Sequence, residues 1–202
     1  MTMRIGLYLA HPRPGSFNHA LFEAVADELG ARGHEVRAHD LHAEGFDPVL
    51  RADETETVDA ASDAAASPDP QVAAHRAELP TLDGLVFVHP NWWGMPPALL
   101  TGWTQRVLVP GVAYKLGTAD GEPVGLLKAG RALVLNTSDT PEAREREEFG
   151  DPLQHIWAAC VLPYTGVTHV RRTVFRTVSD ATPEQRATWL TQAREQAAEL
   201  VS

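Results

Sequence analysis

The chain holds a single cysteine, Cys160, in 202 residues. That excludes an internal disulfide framework and leaves too few thiols for a cysteine-built zinc or iron–sulfur centre. Positive charge is also scarce: 17 Lys and Arg stand against 27 Asp and Glu, for a formal net charge of -10. Nucleic acid and anionic membranes demand clustered cations, so neither is an expected partner. No apolar run reaches the length of a membrane span, and the opening MTMRIGLYLAHP is too short for a signal-peptide core. These absences predict a cytoplasmic protein without membrane insertion. Two phosphate-binding signatures are missing too: the loop after the first apolar run contains neither G-x-G-x-x-G nor G-K-[ST].

The excess of acid is local. Residues 51–70 carry six acids (Asp53, Glu54, Glu56, Asp59, Asp63, Asp69) and one arginine. Little there can build a core, so the segment reads as an exposed acidic excursion, loosely helical or mobile. It interrupts what is otherwise one domain over residues 1–202. A second charge run, 142–148, reads as a solvated helix face.

Three continuous apolar runs, 3–10 (MRIGLYLA), 85–89 (LVFVH) and 131–136 (RALVLN), fit parallel strands covered on both faces. Segment 35–39 alternates and segment 167–175 is β-rich but more polar, so both are expected at sheet edges. Between them lie helical patterns. Leu21, Val25 and Leu29 share one face of a helix over 17–31, capped by Ser16 or Asn18 and closed by Gly33. A second helix is expected over 98–109, after the prolines Pro96 and Pro97. A third over 151–162 would place Leu153, Ile156, Trp157 and Cys160 on one buried stripe. Thr182, Pro183 and Gln185 open a last helix over 183–201. Strands alternating with helices predict an α/β doubly wound sheet of five parallel strands with helices on both faces. Ligands of such sheets bind beyond the carboxyl ends of the strands, near the switch point.

Three loops lie at that end. The first, HPRPGSFN, suits an anion: Gly15 permits close backbone approach, Ser16 and Asn18 offer donors, Arg13 adds charge, and a helix N-terminus follows. The alternative is simple capping beside a surface arginine. The second, HPNWWGMPP, has no cation but offers an aromatic wall from Trp92 and Trp93 with a glycine and two prolines. A planar ring suits it; core filling or a subunit contact is the alternative. Adjacent residues on an extended loop face opposite ways, so one tryptophan is expected at the ligand, Trp93, and the other in core or interface. The third loop brings Asn136, Thr137 and Ser138, short polar groups fit to bond a ring edge or sugar. An anion at one end and a planar ring at the other describe flavin mononucleotide. Among the histidines, His39, His42 and His75 form no recognised ligand spacing, and no metal is expected.

The segments HPRPGSFNHAL and HPNWWGMPPALLTGWTQRVLVPGVAY resemble the flavodoxin-like NAD(P)H:quinone oxidoreductases. That family includes the DT-diaphorases, the modulator-of-drug-activity enzymes and the flavin-binding ancillary subunits of potassium efflux systems. The likeness rests on His11, Ser16 and Asn18 in the first loop, and on Pro90, Trp93, Pro97 and Trp103 after the third strand. It implies strand order 2-1-3-4-5. It places His11, Ser16, Phe17 and Asn18 around the flavin phosphate and ribityl chain. It sets Pro90, Asn91, Trp92, Trp93 and Gly94 along the isoalloxazine edge and Asn136, Thr137 and Ser138 on the far side. Tyr114 matches a tyrosine over the substrate pocket, often supplied by the partner of a homodimer with flavin at its interface. The implied chemistry is ping-pong hydride transfer from NAD(P)H through flavin to a quinone or other small aromatic acceptor, with Tyr114 and Trp93 as the catalytic candidates.

The chain departs from the family pattern. Ser138 and Asp139 stand where DT-diaphorases carry a Gly pair, and Ala143 and Phe149 replace a Tyr/His pair that steadies reduced flavin. Gln105 replaces an acid that helps hold the adenine half of FAD, which favours FMN. Three other functions stay open: a regulatory flavin subunit of an efflux system, an FMN-dependent azo, nitro or flavin reductase, and a one-electron flavodoxin.

Overall fold

The computed structural model describes residues 1–55, 65–116 and 122–202. Among these residues the strands are β1 (Arg4–Leu9), β2 (Glu35–Asp40), β3 (Gly84–Pro90), β4 (Tyr114–Leu116), β5 (Pro123–Gly125), β6 (Arg131–Ser138) and β7 (His169–Arg176). Five of them form one parallel sheet in the order β2-β1-β3-β6-β7, and β4 pairs antiparallel with β5 apart from it. Counting the sheet strands alone, the order is the expected 2-1-3-4-5. The most apolar runs occupy the centre and the two polar ones the edges, because only central strands are covered on both faces.

Each face has its own core. Ile5, Leu7, Leu9, Val86, Val88, Leu133 and Leu135 pack against helix α1 (Phe17–Ala31) and the C-terminal helix Pro183–Leu200. Tyr8, Phe87, Val134, Trp103 and Trp157 fill the other face, beneath helices α2 (Pro70–Glu78) and α3 (Ala98–Val107) and the helical run 152–164. Each such side chain contributes about 1.5–3 kcal/mol through burial. α1 begins and ends as its sequence requires. Ser16 Oγ accepts the His19 N–H, and Gly33 follows the last turn at φ +82°.

Three expectations are corrected. The helix over 151–162 is not regular: residues His155–Val161 form a π-helix. Its wider turn shifts the inward stripe after Trp157 to Val161 and Leu162, so Cys160 is exposed and not buried. Helix α4 (Glu142–Glu147) is not merely solvated, for Glu145 is only 1% exposed. The acidic excursion is tied down at both ends. The Arg106 guanidinium, fully buried on α3, donates to Glu54 Oε2 at 2.8 Å, Asp69 Oδ2 at 3.2 Å and the Asp47 carbonyl at 2.6 Å. Glu56, Asp59 and Asp63, also assigned to the excursion, lie outside the described residues.

Candidate functional site

The carboxyl ends of β1, β3 and β6 open into a cavity of about 420 Å³, within the range usual for small-molecule sites. His11, Arg13, Ser16, Phe17 and Asn18 line it from the first loop, Pro90, Asn91 and Trp92 from the second, and Thr137 and Ser138 from the third. The register explains this convergence: Pro90 stands beside Thr137, and the Asn91 N–H donates to the Thr137 carbonyl at 2.7 Å.

The first-loop end is rich in donors. His11 Nδ1 accepts the Arg13 backbone N–H at 3.1 Å, which leaves Nε2 as the N–H-bearing atom. Burial, then the charges of Arg13, His19 and His42, lower the pKa of His11, so its ring is neutral. Asn18 is buried and donates Nδ2–H to Thr137 Oγ1 at 2.9 Å, while its Oδ1 has no partner. Arg186, absent from the sequence expectation, reaches the cavity from the C-terminal helix. It donates to the Val178 carbonyl at 3.0 Å and lies over the Phe17 ring, and its Nε is buried without a partner. Nothing in the local sequence marks it, because its helix lies far along the chain from the first loop.

The tryptophan loop is a two-residue turn. Trp92 and Met95 exchange backbone hydrogen bonds at 3.2 and 3.0 Å, and Trp93 and Gly94 between them have φ +58° and +75°. Positive φ at both central positions is the I′ geometry, suited to glycine at the second position but strained for tryptophan at the first. The turn is held from below. Asn91 Oδ1 accepts the Gly94 N–H at 3.0 Å, and its Nδ2 donates to Glu145 Oε1 at 2.6 Å; Glu145 Oε2 accepts from Arg176 at 2.6 Å. Trp92 therefore lines the cavity, whereas Trp93 points to solvent, 97% exposed. Within this single chain it is Trp92 that reaches the cavity, and Trp93, the indole expected at the ligand, does not. Gly94 also stays off the cavity wall, backed by Pro152.

Asn136 is placed differently from expectation. Its side chain is fully buried under the loops and does not line the cavity. Nδ2 lies 2.8 Å from His89 Nε2, and Oδ1 accepts from Arg172 Nε at 2.6 Å. Arg172 is itself paired with Asp151 at 2.9 Å. His89, unnoticed in the sequence, is the centre of this network. Tyr114 lies apart, in a groove with Thr104, Gln105, Leu108, Cys160 and Tyr164, its ring edge-on to Tyr164 at 4.7 Å.

A second polar cluster sits on the α2 face. His39, Glu44 and His75 lie close enough to hold a metal ion, but their hydrogen bonds describe an ion network. His39 Nδ1 faces Glu44 at 2.9 Å and its Nε2 faces Glu78 at 2.7 Å, so both ring nitrogens carry protons and neither has a free lone pair. The Trp103 N–H points at His75 Nδ1 at 3.3 Å, which puts the proton of a neutral His75 ring on Nε2, toward Glu44.

No helix among the described residues is long and apolar enough to cross a membrane. A family model described as flavodoxin-like fold matches residues 3–201. The chain is 33% identical over 126 residues to the NAD(P)H dehydrogenase (quinone) 1 of Rattus norvegicus, covering 55% of this chain and 45% of that protein. It thus spans about half the length of the first relatives it matches. It is 31% identical over 175 residues to the ribosyldihydronicotinamide dehydrogenase (quinone) of Mus musculus, covering 75% of this chain and 74% of that one. The NAD(P)H:quinone oxidoreductase from Methanothermobacter marburgensis superposes with a TM-score of 0.83 at 25% identity, over 100% of this chain and 98% of its own. By fold, by sequence and by the matched span, the chain belongs to the flavodoxin-like family of NAD(P)H:quinone oxidoreductases.

Proposed function

We propose that this chain is an FMN-dependent NAD(P)H oxidoreductase that reduces quinone-like acceptors by two electrons in a ping-pong cycle. One observation carries the reading: a single cavity joins a donor-rich end to an aromatic wall at the switch point of the sheet. The residues fit the group. The orphaned Asn18 Oδ1 suits a ribityl hydroxyl, and Arg13, Arg186, Ser16 and the N-terminus of α1 suit a phosphate. FMN, when bound, would accept the hydride from NAD(P)H and return it to the acceptor. Trp92 would flank the ring, and the backbone of Pro90 and Asn91, with Thr137 and Ser138, would bond its polar edge. His89, Asn136 and Glu145 hold those groups in place from beneath and touch no ligand.

Tyr114 and Trp93 fit the same reading only if a second copy supplies them. Trp93, Met95, Leu116 and Val124 are exposed apolar side chains, and a homodimer with the flavin at its interface would cover them. Tyr114 would then donate a hydrogen bond to the acceptor bound in the opposite cavity. The lone cysteine suits the reducing cytoplasm.

The test is direct. Purified without added cofactor, the protein should be yellow, release FMN on heating, and bleach in one two-electron step when mixed anaerobically with NADPH. A colourless protein that neither FMN nor FAD reconstitutes would overturn the proposal.

A further inference from the structure

Ser16 belongs to a chain of groups that leads away from the cavity. Ser16 Oγ lies 2.9 Å from His19 Nδ1, and His19 Nε2 lies 3.2 Å from Asp40 Oδ2. The other Asp40 oxygen, Oδ1, accepts the backbone N–H groups of His42 and Ala43, both at 3.1 Å. Capping of α1 requires only the bond from the His19 N–H to Ser16 Oγ, at 3.4 Å. The cap itself does not need the imidazole or the carboxylate behind it.

Counting protons shows what that is. A carboxylate only accepts, so His19 Nε2 carries a proton toward Asp40. Nδ1 then has two states. In the neutral ring it accepts the Ser16 hydroxyl proton, and the hydroxyl is turned away from the cavity. In the imidazolium it donates to Ser16 Oγ, and the hydroxyl proton is free to point into the cavity. A phosphate dianion has acceptors alone and needs the second state. We propose that His19, fixed by Asp40, is a positioning residue that sets the direction of the Ser16 hydroxyl, so that binding of the flavin phosphate takes up a proton on His19. The inference rests on the flavin reading of the cavity.

The charged groups around His19 are few. They are Asp40, at the end of β2, His42, in the turn that follows, and His11, from the first loop with its ring edge-on at 6.2 Å, with Arg13 beside His11. The consequence is a pH dependence confined to the phosphate: because its binding takes up a proton, affinity for FMN falls as pH rises above neutral.

The experiment measures FMN and riboflavin dissociation constants by flavin fluorescence between pH 7 and 9 on the full chain stripped of flavin. The phosphate has its second pKa near ~6, so its charge is constant over this range. FMN should weaken by on the order of tenfold from pH 7 to 9, at most ~10-fold per unit for one linked proton, and riboflavin should not change. Asp40→Asn gives the sharpest contrast. The new side-chain oxygen can keep the two backbone bonds while its amide donates to His19 Nε2. That moves the ring proton to Nδ1, where it always donates to Ser16. FMN should still bind, with a flat pH profile, and His19→Gln should be flat as well. A wild-type FMN profile parallel to that of riboflavin, or one superimposable on Asp40→Asn, would overturn the inference. Riboflavin binding as tightly as FMN at pH 7 would also overturn it, since the phosphate would not be seated here. Failure of both flavins to bind at any pH is a different result and removes the flavin reading itself.

Discussion

The indole N–H of Trp157 donates to Nε2 of His89 across 2.9 Å, at a point where both rings are fully buried. The Asn136 amide approaches the same nitrogen, and His89 Nδ1 donates to the Pro90 carbonyl at 2.9 Å. The ring is thereby held neutral and in one tautomer. It sits between the core and the backbone that forms the cavity wall.

Burial, with the Arg172 charge adding to it, pushes the His89 pKa down to about 4. The unfolded chain takes up this proton near 6.5 and the folded chain does not. Stability from this site is therefore complete above about pH 6.5 and is lost as pH falls through about 4, amounting to about 3 kcal/mol at most. Urea unfolding between pH 4 and 7 should show this acid limb. Trp157→Phe should cost about 1–3 kcal/mol at pH 7, because it removes one donor and leaves the rest of the network buried. An equally stable variant would show that the network does not hold the loop.

His39 acts with the opposite sign. Burial works against its charge, but hydrogen bonds to Glu44 and Glu78 outweigh it and raise the pKa to about 9. Glu44 is lowered to about 2: its burial acts the other way, and His39 and His75 overcome it. The His39 contribution is fully present below about pH 6.5 and is lost as pH rises through about 9. The site is partly solvated, so screening limits the gain to about 1 kcal/mol. The melting temperature of the wild type should fall between pH 7 and 10 more steeply than that of His39→Gln, and added salt should narrow the difference. Parallel curves would exclude the ion network as a source of stability.

The sheet was legible in the sequence because central parallel strands must be apolar on both faces, and short runs such as GLYL and LVFV, too brief for a helix, meet that need. The loops of the site were legible for a related reason: Ser16, Gly15 and the Pro90–Pro97 stretch carry conformational signals that act locally. What was missed is non-local. Arg172, Arg176 and Arg186 look like surface cations until the fold places them beside Asp151, Glu145 and the cavity. The 142–148 run looks solvated because charge pattern does not reveal that Glu145 meets Asn91 and Arg176. The π-helix that exposes Cys160 has no periodic signature at all.

Arg106 gives a prediction about the acidic excursion. Its guanidinium is enclosed, and burial opposes its charge, but Glu54 and Asp69 more than offset that and raise its pKa. Removing one partner of such a buried pair leaves an uncompensated charge and costs about 3–5 kcal/mol. Glu54→Gln should therefore lower stability by nearly that amount, while Glu142→Gln, on the solvent face of α4, should change it by less than about 0.5 kcal/mol. Limited proteolysis should cut the Glu54→Gln protein sooner within residues 51–70 than the wild type. Equal cleavage rates would mean that Glu54 does not tie the excursion to α3.

Trp93 carries the last prediction, because neither its conformation nor its exposure serves packing within this chain. A tryptophan at φ +58° is strained by about 1 kcal/mol or more, and with 97% of its surface exposed it recovers nothing from burial within this chain. Asparagine followed by glycine is the favoured pair for this turn, so Trp93→Asn should stabilise the fold by about 0.5–1 kcal/mol and raise the melting temperature by a few degrees. If the indole serves the acceptor pocket of a second copy, the same change should lower kcat/KM for quinones by about tenfold, as expected for loss of one large aromatic contact. Flavin content should be unchanged. Trp92→Asn should do the reverse, lowering flavin occupancy with no gain in stability, because Trp92 lines the cavity. A Trp93→Asn protein that is more stable and fully active would remove Trp93 from the catalytic candidates.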